Sequence, residues 1–70
     1  MDAIQTHPTK AVVTLTQMPA GYPNADAREW ADFSREFRAV ARAHADKLGR
    51  AVEVYDADDS LIEVVQPSEQ

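Results

Sequence analysis

The stretch AREWADFSREFRAVARAHADKLG, residues 27–49, decides the fold. It is rich in Ala, Arg and Glu, which are good helix formers, and nothing breaks it before Gly49. Trp30, Phe33, Phe37, Val40, His44 and Leu48 recur at spacings of three and four, so a helix from Ala27 to Leu48 carries them on one apolar stripe. Asp26 and Glu29 have the D-x-x-E spacing of a capping box, with Asn24 as an alternative cap. Gly49 suits the C-terminal cap, with Lys47 and Arg50 beside the helix's negative end.

Upstream, PAGYPN (19–24) is punctuated by Pro19, Gly21 and Pro23 and reads as a loop. Before it, KAVVTLTQM (10–18) sets Ala11, Val13 and Leu15 against Val12, Thr14 and Thr16, the period-2 signature of a strand. Downstream, Ala51 to Tyr55 and Leu61 to Val65 flank DADDS (56–60) as the arms of a hairpin. With Tyr55 opposite Leu61, regular pairing sets Val54 against Ile62, Val52 against Val64 and Glu53 against Glu63. The expected fold is α+β in the order β-α-β-β: one long helix packed on one face of a three-stranded sheet ending in a hairpin, the last strand central. Residues 1–9 read as a flexible N-terminus, 10–66 as a single domain and 67–70 as a polar tail.

A chain of 70 residues buries only about 60% of its unfolded surface, so it needs support beyond its own core. Cysteine is absent, which removes disulfides and thiolate metal sites, and His7 and His44 lack a ligand-like spacing. Self-association or a protein partner remains. One helix covers one sheet face, so the other displays an apolar strip that includes Val12, Tyr55, Leu61 and Val65, a surface suited to a homodimer. The start MDAIQTHPTK lacks the basic end and apolar run of a signal peptide, and no segment approaches the roughly 20 apolar residues of a membrane span. A cytoplasmic protein without a membrane partner is expected.

No motif supports catalysis, a cofactor or a metal. DADDS begins like a calcium loop, but Leu61 and Pro67 stand where that loop needs Gly and Glu. Carboxylates at a wet hairpin tip lack the burial that tunes an acid or base. His44 lies on the apolar stripe as a core histidine, and glycine-rich phosphate loops are missing. Trp30, Phe33 and Phe37 have the helical spacing of core residues rather than of a base-stacking platform. The expectation is a protein that is not an enzyme.

Charge layout carries the functional reading. The net charge is −5, and from Ala51 to Gln70 there are six acids (Glu53, Asp56, Asp58, Asp59, Glu63 and Glu69) and no Lys or Arg. Asp is also simply a good turn residue, and acidic strands keep sheet edges apart. Glu53 opposite Glu63 would work against the fold unless a basic partner neutralised them. Glu53, Asp56, Asp58, Asp59 and Glu63 are therefore the candidate partner-binding residues, offered to a basic protein surface. In size and charge the chain is similar to phage and mobile-element inhibitors of nucleic-acid-handling complexes, the anti-CRISPR and anti-restriction proteins. That likeness assigns no residue a role. The alternative is a dimeric nucleic-acid-binding accessory protein using Arg28, Arg35, Arg38 and Arg42, an arginine stripe opposite the apolar one. The acidic balance makes direct nucleic-acid binding the weaker expectation.

Overall fold

The computed structural model describes residues 3–19, 21–22 and 24–68. Met1, Asp2, Ala20, Pro23, Glu69 and Gln70 lie outside the described residues. With them go Pro23 as a breaker, Glu69 of the acidic count, and the ends of the expected N-terminal arm and polar tail. The order is β1 (Ile4–Thr6), β2 (Val12–Leu15), α1 (Ala27–Leu48), β3 (Val52–Tyr55) and β4 (Leu61–Val65).

Helix α1 starts and stops where its caps dictate. Asp26 is extended, and its side chain accepts the Glu29 N–H at 2.9 Å, satisfying one of the donors that a helix start leaves open. Gly49 closes the other end at φ 73°, a left-handed conformation, and its N–H reaches the Ala45 carbonyl at 2.7 Å. The longest dimension of the molecule, 33 Å, is that of a 22-residue helix rising about 1.5 Å per residue.

The sheet is mixed and four-stranded, in the order β1-β2-β3-β4, rather than three-stranded. β1 pairs with β2 antiparallel, β2 with β3 parallel, and β3 with β4 antiparallel. The parallel pair is joined through α1, and the Glu53 N–H donates to the Ala11 carbonyl at 2.9 Å. β3, not the last strand, lies against β2. The reason is in the side chains: β3 offers Val52 and Val54, both fully buried, whereas β4 places Glu63 on the helix side. A carboxylate there is tolerable at an edge, where it can reach a cation.

The hairpin register also departs from regular pairing. Tyr55 opposes Leu61 as expected, but a bulge leaves Ile62 as the extra residue, so Val54 opposes Glu63, Glu53 opposes Val64 and Val52 opposes Val65. Glu53 and Glu63 therefore do not face each other. Their mutual repulsion, expected from sequence, is absent. Val65 turns inward to 3% exposure, and Val64 takes the outer position at 45%. The outer-face patch accordingly keeps Val12 and Tyr55, Val64 replaces Val65 in it, and the exposed Leu61 borders the start of α1 instead.

The core comprises Val13, Leu15, Phe37, Ala41, Ala45, Val52, Val54 and Val65, with Ile4, Trp30, Phe33 and Ile62 packed against it. The buried line of the helix runs through Ser34, Phe37, Ala41 and Ala45, while Trp30, Phe33, Val40, His44 and Leu48 flank it half-buried. At about 100° per residue, this is a rotation of roughly 60° from the stripe of large residues. Small side chains occupy the closest approach to the sheet, and the aromatics splay to one side. The half-buried His44 ties that side down, its Nε2 lying 3.1 Å from the Lys10 carbonyl. The same rotation lowers Arg38 to the β4 edge.

Candidate functional site

The hairpin turn is organised by one carboxylate. Asp56 Oδ1 accepts the N–H groups of Asp58 (2.8 Å) and Ser60 (3.0 Å), the self-bonded turn for which Asp is favoured. The Asp56 N–H donates to the Ser60 carbonyl at 2.9 Å, and the Asp59 N–H to the Asp56 carbonyl at 3.0 Å. Asp59 adopts φ 69°, a left-handed conformation that Asp tolerates better than most residues. Asp56 is 6% exposed.

Its other oxygen reaches across the molecule. Tyr22 donates its hydroxyl to Asp56 Oδ2 at 3.0 Å, linking the loop before α1 to the hairpin. That loop is set by Gly21 at φ 84° and by the Asn24 N–H donating to the Gly21 carbonyl at 2.6 Å. The Ser60 N–H chiefly, aided by the Tyr22 hydroxyl and the Asp58 N–H, holds the Asp56 carboxyl below its usual range; partial burial opposes them. The Tyr22 phenol is pushed up, first by donating to Asp56.

Tyr22 also stacks on Trp30, with ring centroids 5.9 Å apart and planes at 26°. Trp30 in turn meets Phe33 at 5.9 Å and Phe37 edge-on at 6.1 Å, so the aromatic series runs from the loop into the core. Phe37 is fully buried and Trp30 half-buried. Between the loop, the first turn of α1 and the hairpin lies an open cleft of about 590 Å³, walled by Tyr22, Trp30, Leu61 and Ile62 and lined by Asp56 and Ser60.

The five acidic candidates do not form one surface. Asp56 is internal to the turn. Glu63 sits on the helix side and receives a two-pronged bond from Arg38, Nε to Oε2 at 2.7 Å and Nη2 to Oε1 at 2.8 Å. That bond raises the Arg38 pKa, and because the pair is well exposed it contributes about 1 kcal/mol at most. Glu53 stands on the outer face and accepts the Tyr55 hydroxyl at 2.8 Å, which pushes the Tyr55 phenol up. Asp58 and Asp59 remain exposed at the tip, and their carboxylates accept no hydrogen bond and join no ion pair among the described residues.

The arginine stripe is likewise divided. Arg38 is taken by Glu63, and Arg35 lies 3.4 Å from Asp32 in an exposed pair. Arg28 and Arg42 are exposed. Arg35, Arg38 and Arg42 border a shallow groove of about 420 Å³ floored by Ala31 and Ala39. No group of three or more His, Asp or Glu side chains is placed to hold a metal ion among the described residues. No described helix is long and apolar enough to cross a membrane.

Sequence reading did not find the cleft. Tyr22 fell among loop breakers, and Trp30 read simply as stripe. Trp30 is the fourth helical residue, where a side chain often packs back against the chain entering the helix. An aromatic in the preceding loop was the available signal. No family model matches this chain, and no curated protein or solved structure does.

Proposed function

We propose that the protein is a non-enzymatic binding protein that engages a basic surface of a protein partner through its hairpin tip. One observation carries this: Asp58 and Asp59 are both exposed on a turn ordered by Asp56, and neither has a cationic partner among the described residues. Adjacent uncompensated carboxylates on a fixed turn attract a basic surface at long range and raise the association rate. Glu53, on the neighbouring outer face, adds to the field, whereas Glu63 is paired with Arg38 and Asp56 orders the turn. Inhibition of a nucleic-acid-handling complex is the most concrete form of this reading, with the tip competing for a phosphate-binding groove. The uncovered outer face around Val12, Tyr55 and Val64 is the proposed seat of self-association.

The test is capture from native cells by the tagged protein, compared with the double variant Asp58→Lys, Asp59→Lys at two ionic strengths. The expected result is a partner held by the native protein at low salt and lost on charge reversal or at high salt. Capture by both forms, indifferent to salt, overturns the proposal.

A second reading rests on the groove between Arg35 and Arg42, whose exposed guanidinium groups suit phosphate oxygens. A gel shift with generic DNA and RNA at low salt, abolished by Arg35→Glu, would place this reading first.

A further inference from the structure

We infer that the cleft beside the hairpin tip receives a single arginine side chain from the partner. This rests on the reading above and names the group that the partner supplies. The cleft volume, about 590 Å³, falls within the range of about 300–1,000 Å³ typical of small-ligand sites, ample for one long side chain.

Its chemistry selects a cation. Asp56 is 6% exposed, and the groups that bind it are a phenol hydroxyl and two backbone N–H groups, all neutral. Those donors favour the ionised form, so a nearly buried negative charge stands at the cleft without a counter-ion among its partners. A carboxylate offers about four acceptor positions, two on each oxygen. Oδ1 uses both, and Oδ2 uses one, for Tyr22. One acceptor position of Oδ2 remains among the described residues.

The walls select which cation. Tyr22 and Trp30, stacked on each other, both line the cleft, and aromatic walls suit a planar guanidinium better than a compact ammonium. Leu61, 54% exposed at the rim, gives the aliphatic stem an apolar cover. An anion would be repelled by Asp56 and by the adjoining Asp58 and Asp59. A neutral apolar side chain would strip water from an ionised oxygen and return no hydrogen bond. Arginine meets both demands, through a charge-assisted bond to Oδ2 and stacking on the rings.

The chain's single tryptophan is Trp30, so its emission reads the cleft directly. The full-length protein is titrated with the capped peptide Gly-Gly-Arg-Gly-Gly, and with the same peptide carrying citrulline, the neutral isostere. The expected result is a saturable change in Trp30 emission, with the arginine peptide binding roughly tenfold or more tightly than the citrulline peptide. Leu61→Lys, an exposed rim position, places the chain's own cation at the mouth and should abolish the response while far-UV circular dichroism stays native. Equal responses to both peptides, or an unchanged response in Leu61→Lys, overturn the inference. A peptide-free, concentration-dependent change in Trp30 emission, with a dimer in light scattering, would identify a second copy as the occupant and also overturn it. Asp58→Lys with Asp59→Lys tests the tip separately. Undiminished, salt-indifferent capture by this variant with the arginine preference retained removes the tip from recognition but leaves the cleft; equal peptide responses with charge-dependent capture do the reverse.

Discussion

Ser34→Ala should make this protein more stable, although it removes a side-chain group from the middle of the core. Ser34 is 2% exposed on the buried line of α1, and its Oγ has no hydrogen-bond partner among the described residues. A buried polar group left unsatisfied costs about 1–3 kcal/mol. Alanine also improves helix propensity over serine by about 0.5 kcal/mol. Against this stands the vacated oxygen volume, on the order of 10 Å³, which at 24 cal/mol per Å³ costs about 0.2 kcal/mol. The net gain is about 1–3 kcal/mol, equivalent to a rise in Tm of roughly 4–24 °C for a domain of this size. Urea unfolding followed by far-UV circular dichroism measures it as a higher midpoint at unchanged slope. A lower midpoint would refute the reasoning, because it would mean that the hydroxyl has a partner, such as a helix carbonyl one turn earlier.

Phe37→Ala, at a fully buried position touching Trp30 and Phe33, should cost about 3–5 kcal/mol, enough in a small domain to abolish a cooperative thermal transition at 25 °C and above. Gly49→Ala meets no atom within 4 Å, so its cost is the left-handed backbone alone, about 1–2 kcal/mol, read as a Tm lower by roughly 4–15 °C. Asp56 makes the fold acid-sensitive: its pKa is lowered on folding from 3.8, so its contribution is fully present above that value and is lost as pH falls through the depressed folded one. Asp56→Asn should flatten the dependence of Tm on pH below about 4, and an unchanged slope would count against the assignment. Tyr22, with its pKa raised from 10.0, does the opposite: its contribution is present below that value and is lost as pH rises through the higher folded one, so Tyr22→Phe should reduce alkaline sensitivity.

Much of the fold could be read from local chemistry. The helix ends were legible because Asp26 and Gly49 act within one turn of themselves. The strands with alternating residues were legible too. β1 was not, since Ile4–Thr6 is too short for a period to emerge and gains its place only by pairing Ile4 with Leu15 and Thr6 with Val13. The helix face was misjudged by side-chain size: large residues drew the stripe toward Phe33 and Val40, whereas Ser34, Ala41 and Ala45 permit closest approach. Of the candidate site, Asp58 and Asp59 kept their expected exposure at the tip. The roles of Asp56 and Glu63 depend on Tyr22, 34 residues away, and Arg38, 25 away, contacts that no sequence pattern encodes.

The extra residue at Ile62 sets the terminal ribbon one step away from the regular, unbulged alignment. In the unbulged alternative, Val65 would point to water, Glu53 and Glu63 would collide, and Arg38 would lose its anchor. Two glutamates and an arginine thus act as a latch on strand alignment, opposing a slip that the valine-rich arms alone resist weakly. Neutral replacements at Glu53 and Glu63 would release the latch and leave the ribbon free to sample both settings.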